Sequence, residues 1–305
     1  TVGITRPCTK HNWLVKDTNK LAETIHKAFE VAGTGRPGPV LVDVPKDVQF
    51  ASGCYTRKNE IKKNFIKKDP SIDLNMLDEA ISRLERAERP IIYSGGGVIN
   101  SGQSAVNSLR NLVAGTNFPI TSTLMGLGSY PASGKNWLGM LGMHGTYEAN
   151  MSMHDCDFML CIGARFDDRI TGRIDAFSPN SYKVHLDIDP SSINKNITVD
   201  APLIGDVSQI LSVLITRWKE RGSKVNKKKL SAWWKSINKW KGVKSLGYEN
   251  SSSVIKPQYA VQRLEELTKT YNRFVSTEVG QHQMWAAQFM GFEEPNRWMT
   301  SGGLG

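Results

Sequence analysis

The chain has 305 residues, with 39 Lys and Arg against 29 Asp and Glu, a formal net charge of +10, and 39% hydrophobic residues beside 27 Gly and 13 Pro. Those proportions exclude a disordered or collagen-like polymer. No run approaches the roughly 20 apolar residues of a membrane-spanning helix, and Thr1 is followed by no charged-then-apolar leader, so no membrane is expected. Cys8, Cys54, Cys156 and Cys161 form no Cys-x-x-Cys pair. Neither a disulfide framework nor a zinc ribbon is expected, and a reducing compartment, the cytoplasm, fits best.

In chain order, apolar strand-like runs occur at residues 39–44, 90–94, 119–123, 158–162, 183–189 and 273–277. Helical patterns lie between them. Leu74, Leu77, Ile81 and Leu84 step by 3, 4 and 3 after a polar start at Asp69, Pro70 and Ser71, and Val106, Leu109, Leu112 and Val113 repeat the pattern. Near-continuous apolar strands separated by amphipathic helices predict an α/β fold, a doubly wound parallel sheet covered on both faces. Residues 51–70 and 217–256 break the alternation and read as connections, leaving one complete α/β unit over 71–216. The first and last 50 residues each hold about one helix and one strand, too little for a core, so the chain reads as a fragment containing parts of two further domains.

The charge is local. Residues 217–246 hold eleven Lys or Arg against Glu220 alone, and the other 275 residues balance at 28 and 28. Within this stretch Leu230, Trp233, Trp234, Ile237 and Trp240 keep the spacing of one helical face while the lysines take the remainder. A helix docked through its Trp-rich stripe and a basic, aromatic patch for nucleic acid or a membrane surface are both consistent with such a composition. A stacking platform needs aromatics and cations on one face. Their separation here favours docking and argues against nucleic acid.

Four segments carry polar chemistry at strand ends. Residues 90–97 run a strand into Gly95, Gly96 and Gly97 ahead of a helix, which suits either close approach to an anion or a plain tight turn. Residues 183–190 end a strand with Asp187 and Asp189, where one carboxylate can accept a ribose hydroxyl and the other can cap the helix beginning at Ser191. Residues 163–172 pack Arg165, Asp167, Asp168 and Arg169 after a strand. They form either a guanidinium site for phosphate or a conjugated ring, or a surface ion-pair cluster. Residues 141–146 place Met143 and His144 in a glycine-flanked loop suited to a flat ligand. His154, Asp155, Cys156 and Cys161 lack zinc-finger spacing, and no metal site is expected among them.

Together these segments resemble the large catalytic subunit of the acetolactate synthases (acetohydroxyacid synthases), thiamine-diphosphate enzymes that also bind FAD. The resemblance covers essentially the whole chain. It rests on residues 34–47, shared with many thiamine-diphosphate enzymes apart from Lys46, and on the more specific runs 122–128, 142–146, 165–169, 279–287 and 301–305. It implies that residues 1–55 end a pyrimidine-binding domain, 71–216 form a central FAD-binding domain, 217–256 form a basic helical linker, and 257–305 begin a diphosphate-binding domain. Arg36, Gly95, Gly96, Gly97, Thr123, Leu124, Met125, Gly142, Met143, His144, Gly163, Arg165, Arg169, Asp187, Ile188 and Asp206 would line the FAD site. Val279, Gly280, Gln281, His282 and Gly305 would reach thiamine diphosphate.

By the same resemblance Lys46, Met143, Asp168 and Arg169 belong to the substrate channel, with Arg169 matched to the carboxylate of the second 2-keto acid. The implied reaction decarboxylates pyruvate and joins the remaining two-carbon unit to a second pyruvate or to 2-oxobutanoate, a step in branched-chain amino acid biosynthesis. The family's activating Glu is expected before residue 1, and its Mg2+-holding Gly-Asp-Gly motif beyond residue 305. The 305-residue chain alone is therefore expected to be inactive. A homo-oligomer, dimer or tetramer, with a possible small regulatory subunit is also implied. The alternatives are another thiamine-diphosphate enzyme, such as glyoxylate carboligase or pyruvate oxidase, and a non-catalytic flavin- or nucleotide-binding module.

Overall fold

The computed structural model describes residues 1–55 and 72–302. They fall in two compact units, one on either side of residue 70. In the first, α1 (Val2–Thr5), β1 (His11–Leu14), α2 (Leu21–Gly33), β2 (Val40–Asp43) and α3 (Lys46–Phe50) follow one another. β1 and β2 pair in parallel from His11 opposite Val40 to Leu14 opposite Asp43, and α2 packs against both. β2 is the strand expected at residues 39–44. β1 was not expected, because His-Asn-Trp-Leu has neither an apolar run nor a clean alternation. Among the described residues of this unit, Val15, Ala28 and Val48 are the buried apolar side chains.

The second unit holds α4 (Leu74–Arg86), β3 (Pro90–Ser94), α5 (Gly96–Asn100), α6 (Gln103–Thr116), β4 (Ile120–Ser122), β5 (Trp137–Met140) and α7 (Tyr147–Asp155). It continues with β6 (Phe158–Ile162), α8 (Asp168–Thr171), β7 (Tyr182–Asp187), β8 (Ala201–Ile204), α9 (Val207–Glu220) and α10 (Lys227–Lys241). Six parallel strands form one sheet in the order β5-β4-β3-β6-β7-β8. The first three grow outward to one side and the last three to the other. That is the doubly wound arrangement, with a topological switch point between β3 and β6 where the strand order reverses. β3 and β6 are buried along their whole lengths, which is why both read as unbroken apolar runs.

Within this sheet the two strands that the sequence does not predict, β5 and β8, are the edges. Gly139 in β5 has φ +88°, and Pro202 sits in β8, a position an edge strand tolerates because one row of its N–H groups has no neighbour to serve. Neither residue allows a recognisable β run. α4 starts at Asp73, whose carboxylate accepts from the N–H groups of Asn75 and Met76. The start expected at Asp69 to Ser71, and most of the connection expected at 51–70, lie outside the described residues.

α9 crosses residue 217, so the expected beginning of the linker falls inside a helix. α10 is not a free connection either. Leu230, Trp233 and Ile237 are buried in the main core. The Trp233 indole donates to the carbonyl of Pro90 at 3.0 Å, that of Trp234 to Asn117 at 3.0 Å, and Lys241 Nζ to Trp137 at 3.1 Å. These three carbonyls mark the amino ends of β3, β4 and β5. The basic helix therefore closes the bottom of the sheet with its aromatics turned inward, and Lys228, Lys235 and Lys239 face solvent.

Residues 257–302 form α11 (Pro257–Thr268), β9 (Val275–Thr277), α12 (Gln281–Phe289) and β10 (Trp298–Thr300), with β9 and β10 in parallel. They belong to the same compact unit as the sheet. Ala286, Ala287, Met290, Phe292 and Trp298 form a second core with Leu127 and Met140 of the sheet domain. Arg110 reinforces the junction, donating to the carbonyls of Gly128 and Glu293.

All four cysteines are unpaired. Cys156 and Cys161 are buried, and burial pushes the Cys156 thiol up to about 11 and the Cys161 thiol well above its ordinary value. Since the thiolate is the nucleophile, a thiol reagent at pH 8 is expected to titrate Cys8 and Cys54 rapidly and the other two only after unfolding. Four fast thiols in the native chain would contradict this packing. Raised folded values also fix a sign. The contribution of the Cys156 thiol to stability is complete below about pH 9 and is lost as pH rises towards 11.

Candidate functional site

The loops leaving the carboxyl ends of β3 and β6 meet at the switch point, backbone against backbone. A Cβ on Gly95 would lie 2.2 Å from the Gly163 carbonyl oxygen, and one on Gly97 would lie 2.6 Å from Gly163 Cα. Gly163 itself has φ +61° and equally no room for a side chain. The Gly95 N–H donates to Ile162 at 2.8 Å, and that of Gly97 to the Gly163 carbonyl at 3.0 Å. These two amides are occupied within the protein, so Gly95 and Gly97 serve close loop packing. α5, which begins there, is only five residues long. Gly126, after β4, lies as close to Ser94 and Gly95, and Thr123 N–H donates to the Ser94 carbonyl at 2.9 Å. Thr123, Leu124 and Met125 are thereby held beside the glycine turn, with Met125 packed at Gly96.

The Arg and Asp segment projects from this base. Arg165 pairs with Asp167 at 3.0 Å and Arg169 with Asp168 at 3.3 Å. All four side chains are exposed, and Asp167 stands at the cap position of α8. Exposed pairs between near neighbours are worth about 0–1 kcal/mol, so either guanidinium can be redirected to an incoming anion at little cost. The main chain of Arg169 reaches further. Its carbonyl accepts from Met143 N–H at 2.9 Å, and a Cβ on Gly142, at φ +94°, would lie 2.5 Å from the same oxygen. The structure thus joins the loop after β5 to the loop after β6, leaving Met143 and His144 exposed. Asn150 brackets Gly142, accepting from its N–H and donating to its carbonyl. No local pattern marks that asparagine, and it was missed in the sequence.

The two acids ending β7 divide their work. Asp189 accepts from Ser191 N–H and Oγ and so caps the following turn. Asp187 is buried at the strand end, bonded to Asp189 N–H, and its carbonyl accepts from Gly205 N–H at 3.0 Å. Ile188 is half-buried beside it. Asp206 is the cap of α9, one oxygen taking Ser208 N–H, Ser208 Oγ and Gln209 N–H. That gives it a structural task the sequence reading did not foresee.

Val279 and Gly280 form the turn before α12, and Gln281 and His282 lie exposed in its first turn. Seven residues on, roughly 10 Å along the helix, Gln288 Nε2 donates to the His144 carbonyl at 2.9 Å. A cavity of about 220 Å³ lies beneath this contact, between α12 and β5, and includes His144, Trp137, Thr146 and Phe289 in its wall. Of the remaining expected residues, Arg36 and Lys46 are exposed in the first unit, and Gly305 lies outside the described residues. Among the described residues no group of three or more His, Cys, Asp or Glu is placed to hold a metal ion. No described helix is long and apolar enough to cross a membrane.

Residues 77–214 match the model of the thiamine pyrophosphate enzyme central domain, and residues 278–305 that of the C-terminal TPP binding domain. The whole chain is 40% identical to the acetolactate synthase isozyme 3 large subunit of Escherichia coli and 42% identical to the acetolactate synthase large subunit of Haemophilus influenzae, covering 53% of each. It is also 42% identical to acetolactate synthase 1, chloroplastic, of Oryza sativa, covering 47%. The chain thus spans about half the length of the curated relatives it matches. It carries the central domain and part of the C-terminal TPP binding domain of the thiamine pyrophosphate enzymes, and it is similar along its entire length to acetolactate synthase large subunits.

Proposed function

We propose that the chain is the FAD-binding centre of an acetolactate synthase catalytic subunit, with parts of the two thiamine-diphosphate-binding domains on either side. In this reading residues 1–55 belong to the pyrimidine-binding domain, 71–216 to the flavin domain, 217–256 connect, and 257–305 begin the diphosphate-binding domain. One observation carries it: the expected flavin residues of the second unit lie at the carboxyl ends of the strands across the switch point, where doubly wound sheets bind dinucleotides. The donor set suits that ligand. Arg165 and Arg169 offer exposed guanidinium forks for a diphosphate, and Asp187 an anchored carboxylate for a hydroxyl.

Bound thiamine diphosphate supplies the electron sink for decarboxylating pyruvate and for joining the remaining unit to a second 2-keto acid, pyruvate or 2-oxobutanoate. Gly280, Gln281 and His282 would contact it, Gly280 leaving space for the His282 ring, which a Cβ would meet at 2.9 Å. Mg2+ belongs with that cofactor. Arg169 would hold the second substrate's carboxylate, beside Asp168 and Met143. The acting protein would be a homo-oligomer, with a possible regulatory subunit, in the cytoplasm.

Titrating the purified chain with FAD while following flavin fluorescence tests the reading directly. Saturable binding weakened roughly tenfold or more by Arg165→Ala is expected, the scale of one charge-assisted hydrogen bond. Absence of binding would remove the flavin site. In the complete gene product, Arg169→Gln should raise the KM for pyruvate about tenfold to hundredfold. An unchanged KM would deny Arg169 its role.

A further inference from the structure

Beneath the arginine loop lies a row of buried polar side chains that neither cofactor explains. Tyr93, Cys161 and His185 are direct register partners on the neighbouring strands β3, β6 and β7, and all three are fully buried. His185 Nε2 lies 2.6 Å from the Ala164 carbonyl oxygen, which fixes the hydrogen on that nitrogen, since a carbonyl can only accept. Cys161 Sγ donates to the same oxygen at 3.5 Å. One carbonyl of the loop is therefore drawn down onto the sheet by two strands. The other edge of the imidazole is unpaired: Nδ1 is buried without a partner.

The loop needs such a hold. Phe166 has φ +52°, a left-handed conformation costing a non-glycine residue about 1–2 kcal/mol, which persists only where surrounding contacts over-determine it. Its buried ring packs edge-on against His185 at 5.1 Å and tilted against Tyr93 at 5.7 Å, and its carbonyl accepts from Asn196 Nδ2 at 2.9 Å. Ala164 and Phe166 both point inward, and Arg165 between them faces outward. Two residues beyond His185 on the same strand stands Asp187, with Oδ2 3.7 Å from Nε2.

We propose that His185 is a positioning residue that sets the aim of Arg165, through the Ala164 carbonyl and the strained Phe166 turn, towards the anionic ligand at the switch point. Identifying that ligand as FAD rests on the function proposed above, whereas the hold on the loop does not.

Amide hydrogen exchange and FAD titration on the same 305-residue variants test it. His185→Leu should speed exchange over residues 164–169 about tenfold and weaken FAD binding about tenfold, with exchange in β3 and β6 unchanged. His185→Gln, whose amide nitrogen can reach the position of Nε2, should restore both. Unchanged loop exchange in His185→Leu overturns the proposal. So does a Gln variant as impaired as the Leu variant, which would reduce His185 to core volume. If His185→Leu fails to fold, the contrast of His185→Asn, too short to reach the carbonyl, with His185→Gln decides the same point. A wild-type chain that binds no FAD would overturn the flavin reading alone, and loop exchange would still decide the role of His185.

Discussion

Replacing Gly163 with Ala is expected to destabilise the second unit by about 2–5 kcal/mol and to abolish FAD binding. Two effects add. The residue sits at φ +61°, which costs a residue bearing a Cβ about 1–2 kcal/mol. The new methyl would also lie 2.6 Å from Gly97 Cα and 3.0 Å from Val98 N, a backbone overlap of the overpacking kind worth a further 1–3 kcal/mol or so. Neither loop can yield without opening the switch point, because Gly95 and Gly97 donate their N–H groups across the same seam. Gly115 in α6 is the internal control, since a Cβ there meets nothing within 4 Å. Gly115→Ala should leave FAD affinity unchanged and raise stability by up to about 1 kcal/mol through helix propensity. Denaturant midpoints and flavin titrations of both variants give the comparison. A Gly163→Ala chain that is as stable as wild type would show that the loops are not packed as described.

Trp233→Ala should cost about 3–5 kcal/mol, the range for truncating a fully buried large aromatic. In a unit of this size that is roughly a 10 °C fall in melting temperature. The indole fills the main core, packs edge-on against Trp240 at 5.5 Å, and satisfies the Pro90 carbonyl at the start of β3. Truncation therefore leaves both a cavity and an unpaired acceptor. The matched experiment replaces Lys228, Lys235 and Lys239 on the exposed side of the same helix with Gln. Stability should stay within about 0.5 kcal/mol, as for surface substitutions generally. Stability lost with the lysines rather than with Trp233 would return the helix to an electrostatic role, and a tight, steeply salt-dependent affinity for nucleic acid, lost in the triple variant, would revive the partner its composition suggests.

Much of this molecule can be read without coordinates. Runs such as Ile91 to Tyr93 and Met159 to Ile162 are apolar on both faces because parallel strands are covered on both sides, so the α/β alternation shows in the sequence itself. The location of the excess charge and the alternation of Trp and Lys around α10 are equally local properties. So is the clustering of glycines, arginines and acids just after strands. β1, β5 and β8 were illegible because they are short, lie at sheet edges, and contain polar residues, Gly139 or Pro202, so their pairing comes from neighbours rather than from propensity.

What the tertiary structure alone decided is the assignment of tasks among residues of similar chemistry. Gly95 and Gly97 look like anion-binding glycines in sequence, but their amides are consumed by Ile162 and Gly163, more than 60 positions away. Asp187 and Asp189 are equivalent in pattern until Ser191 takes one as its cap. Asp206, implied by the resemblance to line the flavin site, also caps α9. The basic segment looks like a linker, yet its tryptophans close the amino end of the sheet, opposite the proposed flavin site. For the glycines and the tryptophans the determining partner is distant in the chain, whereas each acid is claimed by a residue two or three positions on. Periodicity and composition record which face an element buries, whereas the register between strands decides what that face meets.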